Sequence, residues 1–321
     1  MVIEYGLFAL GLIFLVKSAD WVIDSSSSLA KKLGVSTLII GLTVVAFGTS
    51  LPELVVNIFA AINGSSAITF GNIVGSNIAN VLLILGITAI IGKIKLKEST
   101  VWKEIPFALL ASFVLFALTA KIIGSAGSTL IATDGMILLS LFAIFMYYIF
   151  QTARKTKGVK IELSADIHES YWKIFLKLLV GLVGIYFGAR WVVDGAIFAA
   201  SQFGLSEFLI SATVIAIGTS LPELAVCLAA VKKKKIDLAI GNIVGSNIFN
   251  ILWVLGIIPL LGPMVIPSFI MFDIAIMFFA TLLLFIFMFV GKRHGIGRKS
   301  GIMFVIFYLL YIGHIVARGL S

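Results

Sequence analysis

Two glutamates sit where a charge is costly. Glu53 and Glu223 each close the hexapeptide Gly-Thr-Ser-Leu-Pro-Glu, at 48–53 and 218–223, inside apolar runs long enough to cross a bilayer. Thr49 and Thr219 precede the glutamates by one helical turn, and Ser50 and Ser220 by three residues. Pro52 and Pro222 carry no N–H, and their rings clash with the carbonyls of Gly48 and Gly218, which are thereby released from the helix ladder. Carboxylates, hydroxyls and freed carbonyls are hard oxygen donors, suited to sodium, calcium or magnesium and poorly suited to zinc or copper. The Ser-x-x-Glu spacing is also that of a capping box, which predicts a fresh half-helix just after each break.

A second pair of motifs follows. Asn72, Ser76 and Asn80 recur every four residues on one helix face, as do Asn242, Ser246 and Asn250. Gly71/Gly75 and Gly241/Gly245 are small-x-x-x-small pairs that permit close helix approach. Such a stripe can serve interhelical hydrogen bonding, the role expected of Asn77 and Asn247 one step round the helix. For Ser76, Asn80, Ser246 and Asn250 cation coordination is favoured, because the stripe should face the glutamates.

Both motifs recur at one offset. Glu223 lies 170 residues after Glu53, and the stretch 241–250 repeats 71–80 at the same offset except that Phe249 stands for Ala79. Trp21/Trp191, Asp24/Asp194 and Gly34/Gly204 keep that spacing, so the chain is a duplicated unit. A single kinked helix with one glutamate could be no more than a capped kink. Two at matching positions of inverted halves would bring Glu53 and Glu223 together near the midplane, which capping does not explain.

The elements that must position these groups are membrane spans. The 321 residues are 60% hydrophobic and 12% charged, about half the charged share of a soluble domain. The net charge of +9 does not form a nucleic-acid patch, because the basic residues punctuate the gaps between apolar runs. The single Cys227 excludes an internal disulfide and a cysteine metal cluster. The first apolar run, near Met1, reads as a retained span rather than a signal peptide. At about 20 apolar residues per crossing, spans fall near 5–25, 37–62, 68–92, 104–123, 129–150, 171–197, 208–231, 238–261, 266–290 and 301–318.

The expected fold is therefore an all-α polytopic membrane protein, with ten transmembrane helices arranged as two inverted five-helix repeats and with helices 2 and 7 broken. Residues 1–150 form the first repeat, 151–170 a cytoplasmic connecting loop, and 171–321 the second repeat. Loops after the odd-numbered spans hold 20 of the 24 lysines and arginines, which puts those loops inside and both termini outside the cell. Lys17/Asp20 and Arg190/Asp194 have the spacing of neutralised pairs on one helix face. The tract Lys232 to Lys235 reads as a topology anchor, with anionic-lipid contact second.

The paired motifs, GTSLPE followed by GNIVGSNIAN and GTSLPE followed by GNIVGSNIFN, resemble the two alpha-repeats of the sodium/calcium exchanger family within the cation/calcium antiporters. The likeness covers the whole ten-span plan, of the compact prokaryotic type. It implies a secondary active antiporter of the cell membrane in which sodium entry drives calcium export, with no cofactor and no enzymatic activity. The implied ligands are Glu53, Thr49, Ser50, Ser76 and Asn80 from one repeat, and Glu223, Thr219, Ser220, Ser246 and Asn250 from the other. Backbone carbonyls near Ala46 and Ala216 complete the set, and spans one and six would slide across the core. Asn250 departs from members with aspartate there, which leaves the stoichiometry open.

Other readings compete. A calcium/proton antiporter is the nearest, since a buried glutamate can trade a cation for a proton. An intramembrane hydrolase built on Ser50 or Ser220 is remote, because His168, His294 and His314 fall in loops or near a membrane edge. A cation channel fits inverted broken helices less well than alternating access does.

Overall fold

The computed structural model describes residues 2–92, 94–96, 98, 100–124, 128–156, 169–202, 218–289 and 295–320. They are almost entirely helical. In chain order the helices are α1 (Val2–Leu33), α2a (Thr37–Thr49), α2b (Leu51–Ile62), α3 (Ser66–Ile91), α4 (Thr100–Thr119), α5 (Ala132–Thr156), α6 (Tyr171–Gln202), α7 (Leu221–Lys232), α8 (Ile236–Leu261), α9 (Ile270–Phe287) and α10 (Arg298–Leu320). Among the described residues, eight helices are long and apolar enough to cross a membrane, and nine if α2a and α2b are one bent span. The expected span near 208–231 is described only from Gly218 onward.

The duplication reaches the backbone. Helix Ser66–Ile78 runs into a π-helical stretch at Ala79–Ile84, and helix Ile236–Ile248 runs into one at Phe249–Val254. Among the described residues, four two-residue strands tie the halves together. β1 (Ile94–Lys95) pairs antiparallel with β4 (Gly295–Ile296), and β2 (Thr129–Leu130) with β3 (Met264–Val265), so each half lends a strand to the other.

α3 and α8 form the centre, with 78% and 83% of their most apolar windows buried, against 33% for both α1 and α6. The glycines of α8 permit this, whereas nothing stands within 4 Å of a Cβ at Gly71 or Gly75 of α3, so the close approach expected of that pair is not made. A Cβ on Gly241 would stand 2.6 Å from the Leu38 carbonyl, and one on Gly41 would stand 2.7 Å from the Leu238 carbonyl, so α2a and α8 cross backbone to backbone. α2b ends in a Schellman turn, with Ser65 N–H donating to Ala60 O at 2.8 Å, Gly64 N–H to Ala61 O at 2.9 Å, and Gly64 at φ +70°.

The break between α2a and α2b bends the helix by 43°. Its cap differs from the capping box expected. Ser50 has φ −88° and ψ 0°, outside the extended region that caps favour, and its side chain makes no cap hydrogen bond. Its N–H already donates to Ala46 O at 3.0 Å, which leaves no donor for the Glu53 carboxylate to accept. Ser220, at φ −94° and ψ 4°, likewise makes no side-chain cap hydrogen bond.

Candidate cation site

Thr49, Ser50, Glu53, Ser76, Asn80, Ser220, Glu223, Ser246 and Asn250 are all no more than 2% exposed, and Thr219 is half-buried. Each helix break faces the polar stripe of the opposite half. Thr49 Oγ1 lies 3.1 Å from Asn242 Oδ1 and 3.3 Å from Ser246 Oγ, while Ser76 Oγ lies 3.5 Å from Thr219 Oγ1. Ser246 Oγ in turn donates to Glu223 Oε1 at 3.3 Å. Ser246 thus links Thr49, one turn before Glu53, to the Glu223 carboxyl.

Asn247 takes the interhelical role that its position suggests. Its Oδ1 accepts from Asn80 Nδ2 at 2.9 Å, and its own Nδ2 donates to the Asn77 carbonyl at 3.4 Å. The Asn77 side chain instead bonds to Ile73 O of its own helix. Because Asn247 occupies the amide nitrogen of Asn80, the oxygen Asn80 Oδ1 is left free of protein donors.

That pattern extends across the site. Among buried side-chain oxygens without a hydrogen-bond partner are Ser50 Oγ, Glu53 Oε2, Asn80 Oδ1, Ser220 Oγ, Glu223 Oε2 and Asn250 Oδ1. One such group costs about 1–3 kcal/mol if nothing satisfies it. Six of them, drawn pairwise from equivalent positions of the two halves, form an acceptor-rich set that a desolvated cation would satisfy. Asn80 and Asn250 are each the second residue of a π-helical stretch, a feature that recurs where helices carry functional groups. No group of three or more His, Cys, Asp or Glu side chains that could hold a metal ion stands together among the described residues.

The Ala46 carbonyl accepts from Ser50 N–H at 3.0 Å and from Thr49 Oγ1 at 3.4 Å. Ala216 lies outside the described residues. The sequence reading assigned no orienting role to Asn242, which positions Thr49. It also passed over Asn57, whose Nδ2 donates to Asn72 Oδ1 at 2.9 Å and ties α2b to α3. The equivalent pair in the other half is Cys227 and Asn242, at 3.9 Å. The shared offset of 170 was the available signal for both.

The sodium/calcium exchanger protein family model matches residues 3–151 and 173–317. Sodium/calcium exchanger MaX1 of Methanosarcina acetivorans is 32% identical over 97% of this chain and 97% of its own length. Inner membrane protein YrbG of Escherichia coli is 38% identical over 82% of this chain and 81% of its own length. The solved structure of the sodium-calcium exchanger NCX_Mj superposes with a TM-score of 0.82 at 32% identity, covering 97% of this chain and 98% of that one. The chain belongs to the sodium/calcium exchanger protein family.

Proposed function

We propose that this protein is an antiporter that exchanges sodium for calcium across the membrane by alternating access, calcium leaving as sodium enters. The observation that carries the reading is the set of unpartnered buried oxygens around two carboxyls, contributed equally by both halves. Glu53 and Glu223 supply the charge. Thr49, Ser50, Ser76 and Asn80, with Thr219, Ser220, Ser246 and Asn250, supply neutral oxygens, and the carbonyls of Ala46 and Ala216 complete the ligands. One calcium ion or two sodium ions balance two carboxylates.

The architecture proposed is ten spans in two inverted halves, 1–150 and 171–321, joined by a cytoplasmic segment at 151–170. The seventh of these spans, near 208–231, contains most of α7. The repeat of element boundaries, the exchanged strand pairs and the two separate segments of the family match support this plan. An odd number of spans per half inverts the second half, as in many secondary transporters. The lysine-rich loops face the cytoplasm and both termini the outside of the cell membrane, on the distribution of basic residues. The chain acts as a carrier, not as an enzyme.

The test is calcium flux in proteoliposomes under imposed gradients. Calcium uptake should follow an outward sodium gradient and ignore a proton gradient of equal size. Uptake driven by protons alone would replace this reading with calcium/proton antiport.

A further inference from the structure

α1 and α6 pack as one body. A Cβ on Gly11 would stand 2.8 Å from the Gly188 carbonyl, and one on Gly181 would stand 2.8 Å from Val22 Cγ2. Lys32 lies 4.4 Å over the Tyr171 ring and bonds the Glu169 carbonyl, joining the end of α1 to the start of α6. Toward the site this body presents apolar side chains, with Leu182 against Gly48 and Val193 against Gly218. Apolar contact is non-directional and survives a slide along the helix axis. A multidentate ion pair fixes one register.

Lys233 makes such a contact. Its Nζ lies 2.8 Å from Asp24 Oδ2 and 3.2 Å from Asp20 Oδ1, and it donates to the Asp20 carbonyl at 3.1 Å. Asp20 and Asp24 stand one turn apart on α1, so a single lysine bridges both. This engages Asp20 from another element, in place of the Lys17 pairing expected from spacing. The lysine is also fixed at its own end. It caps α7 in a Schellman turn, with Lys235 N–H donating to Ala230 O at 2.7 Å and Lys234 N–H to Val231 O at 2.9 Å. That turn holds Lys234 at φ +59°, where the other half has Gly64. Burial works against the Lys233 charge, but hydrogen bonds to Asp24 and Asp20 outweigh it and keep its pKa above the ordinary lysine value.

The equivalent positions in the other half form no such bridge. Asn63 stands 170 residues before Lys233, and its Nδ2 donates to Phe59 O of its own helix at 2.9 Å. Arg190 and Asp194 stand 170 residues after Asp20 and Asp24, and they pair with each other along α6 at 3.7 Å. Each of these groups is engaged within its own element, so the two ends of the molecule are not equivalent.

We propose that Lys233 is a one-sided latch, holding the α1/α6 body against the site-bearing helices at the lysine-rich end through Asp20 and Asp24. The latch sets how readily that end opens during exchange, and in this role it rests on the alternating-access reading. Ser25 reports on it, being 1% exposed and lining a cavity of about 480 Å³ together with Asp24, Lys31 and Lys233.

The test places a cysteine at Ser25 in the full chain and measures labelling by a membrane-impermeant maleimide in vesicles that expose the lysine-rich side. The parent with its buried Cys227 supplies the background. Lys233→Gln should raise labelling of that cysteine about two- to fivefold, the range a partly exposed ion pair supports. The charge exchange Asp24→Lys with Lys233→Asp should return it toward the parent, which a purely steric role for the lysine would not do. If Ser25→Cys fails to fold, Ser28→Cys, on the same cavity, gives the same readout. Unchanged labelling in Lys233→Gln overturns the latch, whatever the exchange rate. Labelling that responds in a parent without sodium-driven calcium flux would uphold the latch and reject the exchange reading instead.

Discussion

At the residue scale, the proposed function rests on side chains that the fold leaves unsatisfied. Most buried polar groups find protein partners, yet Glu53 Oε2 and Glu223 Oε2 do not, and they share a site with unpartnered serine and asparagine oxygens. Glu53→Gln or Glu223→Gln keeps the shape and removes one of two charges. Either should abolish sodium-driven calcium uptake while leaving a monodisperse protein in detergent. Normal uptake by a folded variant would put the site elsewhere. Asn250 is fully buried with neither amide atom bonded, so a carboxylate there enters the same environment. A third sodium beside two carboxylates leaves the loaded site positive, which is costly at the membrane midplane. Asn250→Asp should therefore raise the sodium-to-calcium coupling ratio read from reversal potentials. A ratio of three that the substitution does not alter would show that carboxylate number does not set coupling.

At the scale of elements, the site depends on how closely α2a and α8 cross. Gly41→Ala or Gly241→Ala forces a methyl group into opposing backbone, where no side chain can yield. Either substitution should destabilise the protein by about 1–3 kcal/mol, seen as a lower midpoint in thermal unfolding, and should weaken protection by calcium. Gly6 supplies the contrast, since nothing stands within 4 Å of a Cβ there. Gly6→Ala should leave the midpoint unchanged or raise it, because alanine favours helix by about 1 kcal/mol over glycine. An equal loss in all three variants would refute the crossing as the cause. Gly241 was legible from its spacing to Gly245, whereas its partner Gly41 and the absent capping box were not. Ser-x-x-Glu predicts a reciprocal cap, but the Ser50 N–H is taken by Ala46 O and the serine and glutamate are left for other use.

For the whole molecule, the lysine and arginine distribution predicts sidedness. A cysteine at Ser65, in the turn between α2b and α3, should react with an impermeant thiol reagent from outside sealed cells. A cysteine at Lys299, at the start of α10, should react only after the inner face is exposed. Labelling of both from one side would refute the inverted plan. The burial pattern separates an enclosed pair, α3 and α8, from outer helices that include α1, α5, α6 and α10.

The sequence by itself determined the class of protein, the duplication, the break between α2a and α2b and the residue types of the candidate site. Each of these is written in local composition or in a fixed spacing: apolar length sets a span, proline interrupts it, and a repeat at offset 170 needs no coordinates. Tertiary structure decided which groups meet. Thr49 faces Asn242 and Ser246 across the halves, Asn80 surrenders its amide nitrogen to Asn247, and Asp20 answers Lys233 rather than Lys17. Such pairings join residues roughly 165 to 215 positions apart, and helical periodicity constrains only neighbours within a few turns. Their partners were fixed by the packing of one half against the other, which a one-dimensional pattern does not encode.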